Sequence, residues 1–114
     1  VIEVGKSLTR DDVIAVSCLN TKAGLDQDSR LRMLASRKVV EDRLTDGQPH
    51  YGINTGFGAL AEVPISIDKV RTLQLNLVRS HSSGVGAPMP TEVVRAAMLL
   101  RAHTLALGLS GIRP

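Results

Sequence analysis

The sequence predicts a mainly α fold, with four helices that follow a short strand or extended lead-in. Apolar residues recur at helical spacing in four segments, and residues that commonly cap helices precede them. The opening Val1–Gly5 instead alternates apolar and polar side chains and then breaks at glycine, which is typical of a short strand. Because 114 residues with 43% hydrophobic content suit one small domain, we expect a single domain over residues 1–114.

The first helix has sequence signals at both ends. The hydroxyl of Thr9 can accept a hydrogen bond from the first turn, where the positive end of the helix dipole stabilises the carboxylates of Asp11 and Asp12. Residues Asn20–Gly24 should end this helix.

The second helix is expected from about Asp28 to Leu44, with Gly47 as its C-terminal stop. Apolar residues at helical spacing predict its core-facing stripe. The stripe consists of Leu31, Leu34, Ala35, Val39 and Val40.

The third and fourth helices differ in polarity. Ser66 and Asp68 open the third helix, which ends in the turn of residues 82–86. The fourth helix, from Thr91 to about Leu107, is apolar around nearly its whole circumference, and Gly111 is predicted as its stop glycine. A chain of this length cannot easily bury such a helix, so we expect packing partners outside the chain.

Composition argues against several classes of protein. The net charge of +3 comes from scattered residues, and one Phe, one Tyr and no Trp leave little to stack on bases, so nucleic-acid binding is not expected. No uncharged stretch reaches the length of a membrane span, and the sequence shows no signal segment. The single Cys18 cannot form an intrachain disulfide, which favours a reducing, cytoplasmic location.

The most informative segment is the loop from Tyr51 to Pro64, in which the glycines at 52, 56 and 58 crowd together. No Lys-Ser/Thr follows the last glycine, so a phosphate cradle is not expected. The loop does place a lone tyrosine beside the amide of Asn54, as a mobile lid with a catalytic group would. A tyrosine that acts as a base must lose its proton near pH 7, which costs about 4 kcal/mol without stabilising neighbours. Spacing alone favours the other interpretation, in which Tyr51 anchors the loop against the core.

A second candidate lies at the end of the third helix, where Ser80 and His81 precede a glycine-rich turn. His81 could contact a ligand, or its charge could complement the negative end of the helix dipole, and spacing alone favours the second. We expect no metal site, because the three histidines at 50, 81 and 103 are far apart in the sequence and Cys18 has no nearby second cysteine. Ser110 lacks the glycine pattern of a nucleophile elbow and is interpreted as a helix-end residue.

Three blocks of the chain resemble the aromatic amino-acid lyases, the family of the histidine, phenylalanine and tyrosine ammonia-lyases and the related aminomutases. They are residues 51–58 (Tyr-Gly-Ile-Asn-Thr-Gly-Phe-Gly), residues 73–86 and residues 99–114, in the family's order. The resemblance covers nearly everything after about Ser36. It implies that the chain is the incomplete N-terminal part of that family's helical fold.

The resemblance also implies roles for individual residues. Tyr51 would be the base that takes the β-proton of the amino acid, on a lid loop that closes over the substrate and includes Gly52, Asn54, Gly56 and Gly58. The pair Ser80-His81 resembles the version in histidine ammonia-lyases, whereas phenylalanine lyases have bulky apolar residues there. His81 would then contact the imidazole of L-histidine, and the products would be trans-urocanate and ammonia.

The family's electrophile is 4-methylidene-imidazol-5-one, which forms from an Ala-Ser-Gly tripeptide. The 114 residues contain no such tripeptide, and Ser82-Ser83-Gly84 lies in the block that selects the substrate. The resemblance therefore implies that the cofactor comes from other sequence, that the isolated chain is inactive, and that the complete enzyme is a homotetramer. The alternatives are a tyrosine or phenylalanine lyase or aminomutase of the same family, or a non-catalytic helical module that associates with itself.

Overall fold

A computed structural model describes residues 1–114 and confirms a mainly α fold. The helices are α1 (Arg10–Cys18), α2 (Gln27–Thr45), α3 (Ile67–His81) and α4 (Thr91–Ala106). Two short strands, β1 (Ile2–Val4) and β2 (Ala23–Leu25), and one 3₁₀ turn (Gly58–Leu60) complete the secondary structure. The chain divides into two compact units, of which the first comprises residues 1–39 and 88–114 and the second residues 40–87. None of the helices combines the length and the apolar character that crossing a lipid bilayer requires.

The two strands form a parallel sheet in the first unit, with α1 as the connection between them. Ile2 lies opposite Ala23 and Val4 lies opposite Leu25. The sequence predicted β1 but missed β2, because an Ala-Gly-Leu segment has neither β-branched residues nor enough length to show a strand pattern. The stretch after α1 therefore ends the helix, with Asn20 in a left-handed conformation at φ 58°, and then continues directly into a strand.

The start of α1 follows the predicted capping chemistry. The Thr9 hydroxyl accepts a hydrogen bond from the amide of Asp12 at 3.2 Å, and the Asp12 carboxylate accepts one from the amide of Thr9 at 2.9 Å. This reciprocal pair satisfies two amides that would otherwise lack a partner at the helix terminus.

The core of the first unit lies between α1, α2, α4 and β1. Its buried residues are Val4, Val16, Met33, Leu99 and Ala106. The Arg95 guanidinium of α4 donates to the carbonyl oxygen of Val16 from two nitrogens, at 2.7 and 3.1 Å. Since this carbonyl lies in the last turn of α1, where helical acceptors lack partners, Arg95 joins α4 to the end of α1.

The predicted stripe of α2 is wrong. Leu31, Leu34 and Val39 are exposed by about half of their surface, and the buried residues of the helix are Ser29 and Met33. The Ser29 hydroxyl donates either to the Val4 carbonyl at 3.4 Å or to the Asp26 carboxylate at 2.6 Å. Hydrogen bonding to β1 thus helps to determine which face of α2 is buried. The spacing of apolar residues along α2 does not predict this face.

The expectation that this chain cannot cover the apolar surface of α4 is confirmed. Only Leu99 and Ala106 of α4 are buried, and several of its large apolar side chains are exposed by 41–67%. The predicted stop at Gly111 is wrong, since α4 ends at Ala106 and the left-handed glycine that follows is Gly108, at φ 78°. A Cβ at Gly108 would lie 2.8 Å from the backbone carbon of Arg32, so glycine also permits this close approach to α2.

Candidate functional site

Tyr51 lies on the turn that follows α2, in the second unit. The His50 carbonyl accepts hydrogen bonds from the amides of Ile53 and Asn54, at 3.0 and 3.2 Å, and these bonds close the turn. The Tyr51 side chain is 66% exposed, and its ring meets that of Phe57 edge to face, with centroids 6.0 Å apart. The hydroxyl group takes part in no hydrogen bond within the chain, so it is free to act on a bound molecule. The interpretation that Tyr51 anchors the loop against the core is therefore wrong, since its ring contact lies within the loop.

Backbone hydrogen bonds close the base of the loop. The Gly56 amide donates to the Val63 carbonyl at 3.2 Å, and the Ile65 amide donates to the Asn54 carbonyl at 2.7 Å. These bonds accompany an antiparallel bridge between Thr55 and Pro64. The loop thus has a defined path in the structure, and its mobility stays a prediction.

The polar side chains of the loop bond to the loop itself. Asn54 accepts a hydrogen bond from the His50 amide at 2.7 Å and donates one to the Gln48 carbonyl at 2.8 Å. Thr55 is fully buried, and its hydroxyl donates to the Gly56 carbonyl at 3.0 Å. Asn54 and Thr55 therefore hold the path of the loop, rather than presenting free groups to a ligand.

The predicted lid glycines have distinct surroundings. Gly52 and Gly58 have positive φ angles of 73° and 57°, and open space surrounds Gly58. Gly56 is confined, since a Cβ there would lie 2.5 Å from the Leu60 Cβ and 2.8 Å from the Leu60 carbonyl oxygen. The loop folds back on itself at Gly56, where any side chain would collide with the 3₁₀ turn.

Ser80 and His81 lie together in the last turn of α3, and both are exposed. The Ser80 hydroxyl donates to the Leu77 carbonyl at 2.9 Å, and His81 Nδ1 lies 2.9 Å from both that carbonyl and the Ser80 hydroxyl. Because a carbonyl can only accept, Nδ1 carries a proton, and the neutral ring then has an acceptor at Nε2. Nε2 has no partner in the chain and can accept a hydrogen bond from a ligand.

The predicted site residues thus form two groups. Tyr51 shares one loop with the glycines and Asn54, and the Ser80-His81 pair ends α3. No hydrogen bond joins Tyr51 to either member of the pair.

The chain does not supply the electrophilic group that the resemblance implies. Ser82 is the residue that ends α3, and its hydroxyl donates to the Val78 carbonyl at 2.6 Å. Ser82 and Ser83 are exposed, and no alanine precedes the Ser83-Gly84 pair. These residues do not fit a precursor that must condense with its neighbours into a ring, so no reaction step can be derived for that group here.

The sequence reasoning missed one cluster beside Tyr51. The Asp46 carboxylate, just after α2, contacts His50 Nε2 at 2.8 Å, Arg43 Nη1 at 3.2 Å and the Gln48 amide at 3.0 Å. Hydrogen bonds from Gln48, then from His50 and Arg43, lower the pKa of Asp46 to about 2. An acid and a histidine four residues apart pair readily on a helix, but α2 ends at Thr45, so this contact depends on the path of the chain after the helix.

Comparison with known proteins places these features in context. Residues 8–114 match the family model described as aromatic amino acid lyase. Over 109 residues the chain is 52% identical to a histidine ammonia-lyase of Anaeromyxobacter sp. (strain K), and this alignment covers 96% of the chain. The chain spans only 22% of the length of that relative.

Solved structures show the same backbone arrangement. An ergothionase from Treponema denticola, described as an ergothioneine-degrading enzyme, superposes with a TM-score of 0.92 at 33% identity, over 98% of this chain and 23% of that one. A tyrosine aminomutase from Streptomyces globisporus superposes with a TM-score of 0.91 at 34% identity, over 99% of this chain and 22% of that one. Proteins of different named activities therefore share this part of the fold.

Proposed function

Because this chain belongs to the aromatic amino acid lyase family, we propose that it carries the proton-accepting tyrosine and a substrate-recognition residue of an enzyme that eliminates ammonia from L-histidine. The sequence similarity to a histidine ammonia-lyase, which extends over nearly the whole chain, is the observation that carries this proposal. The elimination breaks a C–H bond at the β-carbon and the C–N bond at the α-carbon, and forms a double bond between the two carbons. The products are trans-urocanate and ammonia.

Tyr51 is the proposed base. Its exposed hydroxyl has no partner in the chain, and it stands on a loop whose backbone is tied at both ends. An ionised phenol at this position would accept the β-proton, and its general-base role should contribute about 10²–10⁴-fold to the rate.

His81 is proposed to recognise the substrate's imidazole. With Nδ1 held by the Leu77 carbonyl, Nε2 faces outward as an acceptor, and the N–H of an imidazole is a suitable donor. Ser80 contributes by fixing the ring, since its hydroxyl lies 2.9 Å from the same Nδ1.

We further propose that these 114 residues alone are inactive, because the electrophilic group must come from sequence outside them. The complete enzyme is proposed to be a cytoplasmic homotetramer. The exposed apolar side chains of α4 (Val93, Val94, Met98 and Leu100) support an assembly, since another subunit could cover them.

The test uses the complete protein that contains this chain, incubated with L-histidine while urocanate absorbance and ammonia are followed. Tyr51→Phe should lower kcat by about 10²–10⁴-fold, because it deletes only the hydroxyl. His81→Leu should raise KM for L-histidine and improve the relative use of L-phenylalanine. A protein that converts L-histidine at the normal rate with Phe at position 51 would contradict the proposal.

A tyrosine-directed enzyme is the second candidate, since the fold neighbours include a tyrosine aminomutase. The same preparation incubated with L-tyrosine separates the two. An aminomutase would yield a β-amino acid, whereas the proposed lyase leaves L-tyrosine largely unchanged.

A further inference from the structure

The cluster of Asp46 and His50 stands directly before Tyr51 in the chain. Both oxygens of Asp46 lie within hydrogen-bond distance of His50 Nε2, at 2.8 and 3.0 Å. The two side chains are only 27% and 25% exposed, respectively. Because Arg43 and the Gln48 amide hold the same carboxylate, Asp46 is a fixed acceptor at the end of α2.

His50 is also the centre of the turn that carries Tyr51. Its amide donates to the Asn54 side chain, and its carbonyl accepts from the amides of Ile53 and Asn54. Tyr51 has no polar contact of its own, only the ring contact with Phe57. The position of the phenol therefore depends on how the backbone of His50 is held.

We propose that the Asp46–His50 pair is a positioning device for Tyr51, which ties the turn that carries the phenol to the end of α2. This inference rests on the proposed function only for its catalytic consequence. His50 is a positioning residue, because it reaches the reacting atoms only through Tyr51.

The surroundings of the pair favour a role beyond that of an ordinary surface ion pair. Exposed pairs contribute little, because water screens them and two long side chains must be ordered. Here Arg43 and the Gln48 amide also hold the Asp46 carboxylate, and the backbone of His50 is fixed by three hydrogen bonds.

The chain provides its own reporter, because Tyr51 is its only tyrosine and it has no tryptophan. The anisotropy of tyrosine fluorescence therefore measures the motion of this one ring. In the 114-residue chain, breaking the contact between Asp46 and His50 should lower this anisotropy, because the turn that carries the ring is released.

Two variants test the assignment, and one controls for it. His50→Gln replaces the ring that reaches Asp46 with a flexible amide side chain, so the anisotropy should fall. Asp46→Asn removes the charge of the accepting carboxylate and should lower the anisotropy as well. Glu62→Gln, which neutralises an exposed acid in the same loop, should retain the wild-type anisotropy.

An unchanged anisotropy in His50→Gln, with helical circular dichroism preserved, would overturn the proposal. If His50→Gln unfolds, Asp46→Asn decides by the same criterion. In the complete enzyme, His50→Gln should lower kcat with little change in KM. A lower anisotropy in both variants, with no lyase activity in the complete wild-type protein, would support the positioning role and reject the proposed function. Lyase activity in the wild-type protein, with unchanged anisotropy in both variants, would do the reverse.

Discussion

Replacing Gly56 with alanine should disrupt the loop that carries Tyr51. The added Cβ would lie 2.5 Å from the Leu60 Cβ and 2.8 Å from its carbonyl oxygen. Both distances are far inside van der Waals contact, and neither atom belongs to the end of a flexible side chain. The loop must therefore open, which should cost about 1–3 kcal/mol by analogy with other overpacked sites.

This cost should appear in two measurements on the 114-residue chain. Thermal unfolding followed by circular dichroism should shift down by about 4–8 °C per kcal/mol if the loop unfolds together with its unit. If the loop opens locally, the fluorescence anisotropy of Tyr51 should fall while the thermal midpoint stays nearly constant. Either result supports the packing of Gly56 against Leu60.

Gly84→Ala is the matched control. A Cβ at Gly84 would meet no atom within 4 Å, and Gly84 is not among the glycines with positive φ. Alanine there should change the stability by no more than about 1 kcal/mol, in the stabilising direction if at all. The reasoning is refuted if Gly56→Ala matches this control in both midpoint and anisotropy.

Three further perturbations probe the first unit. Thr9→Ala should lower the free energy of unfolding by about 1 kcal/mol, because it removes the side-chain cap of α1, and urea unfolding measures this change. Arg95→Met keeps the apolar stem of the side chain but deletes both hydrogen bonds to the Val16 carbonyl, so it should lower the free energy of unfolding by about 1.5–3 kcal/mol. A loss below about 0.5 kcal/mol would contradict the proposed link between α4 and the end of α1. The hydrogen bond from the Ser29 hydroxyl is the chief reason that the pKa of Asp26 is lowered to about 2. The Asp26 carboxylate therefore contributes its full stabilisation above the pKa of an unfolded aspartate, and this contribution is lost as the pH falls towards 2. Asp26→Asn should flatten that acid limb of a pH–stability curve.

The sequence alone determined the helices and the position of the informative loop. Thr9 with Asp12, and Gly47 after α2, act within one or two turns of chain, and such local signals can be identified without knowledge of the rest of the fold. The Tyr51 block was equally visible, because its glycines and its single tyrosine are close together in the sequence. The family followed from such blocks, and the family model confirmed it.

Tertiary structure decided what depends on distant partners. The buried Ser29 of α2 lies 3.4 Å from the carbonyl oxygen of Val4, which is 25 residues away, and the link between α1 and α4 follows from Arg95 and Val16, which are 79 residues apart. The short strand β2 exists only because β1 supplies its hydrogen bonds. The contact of His50 with Asp46 depends on the path of the chain after α2, and the sequence does not specify that path. Hydrogen bonding and burial at these positions depend on which groups the fold brings together, and periodicity within one segment does not specify them.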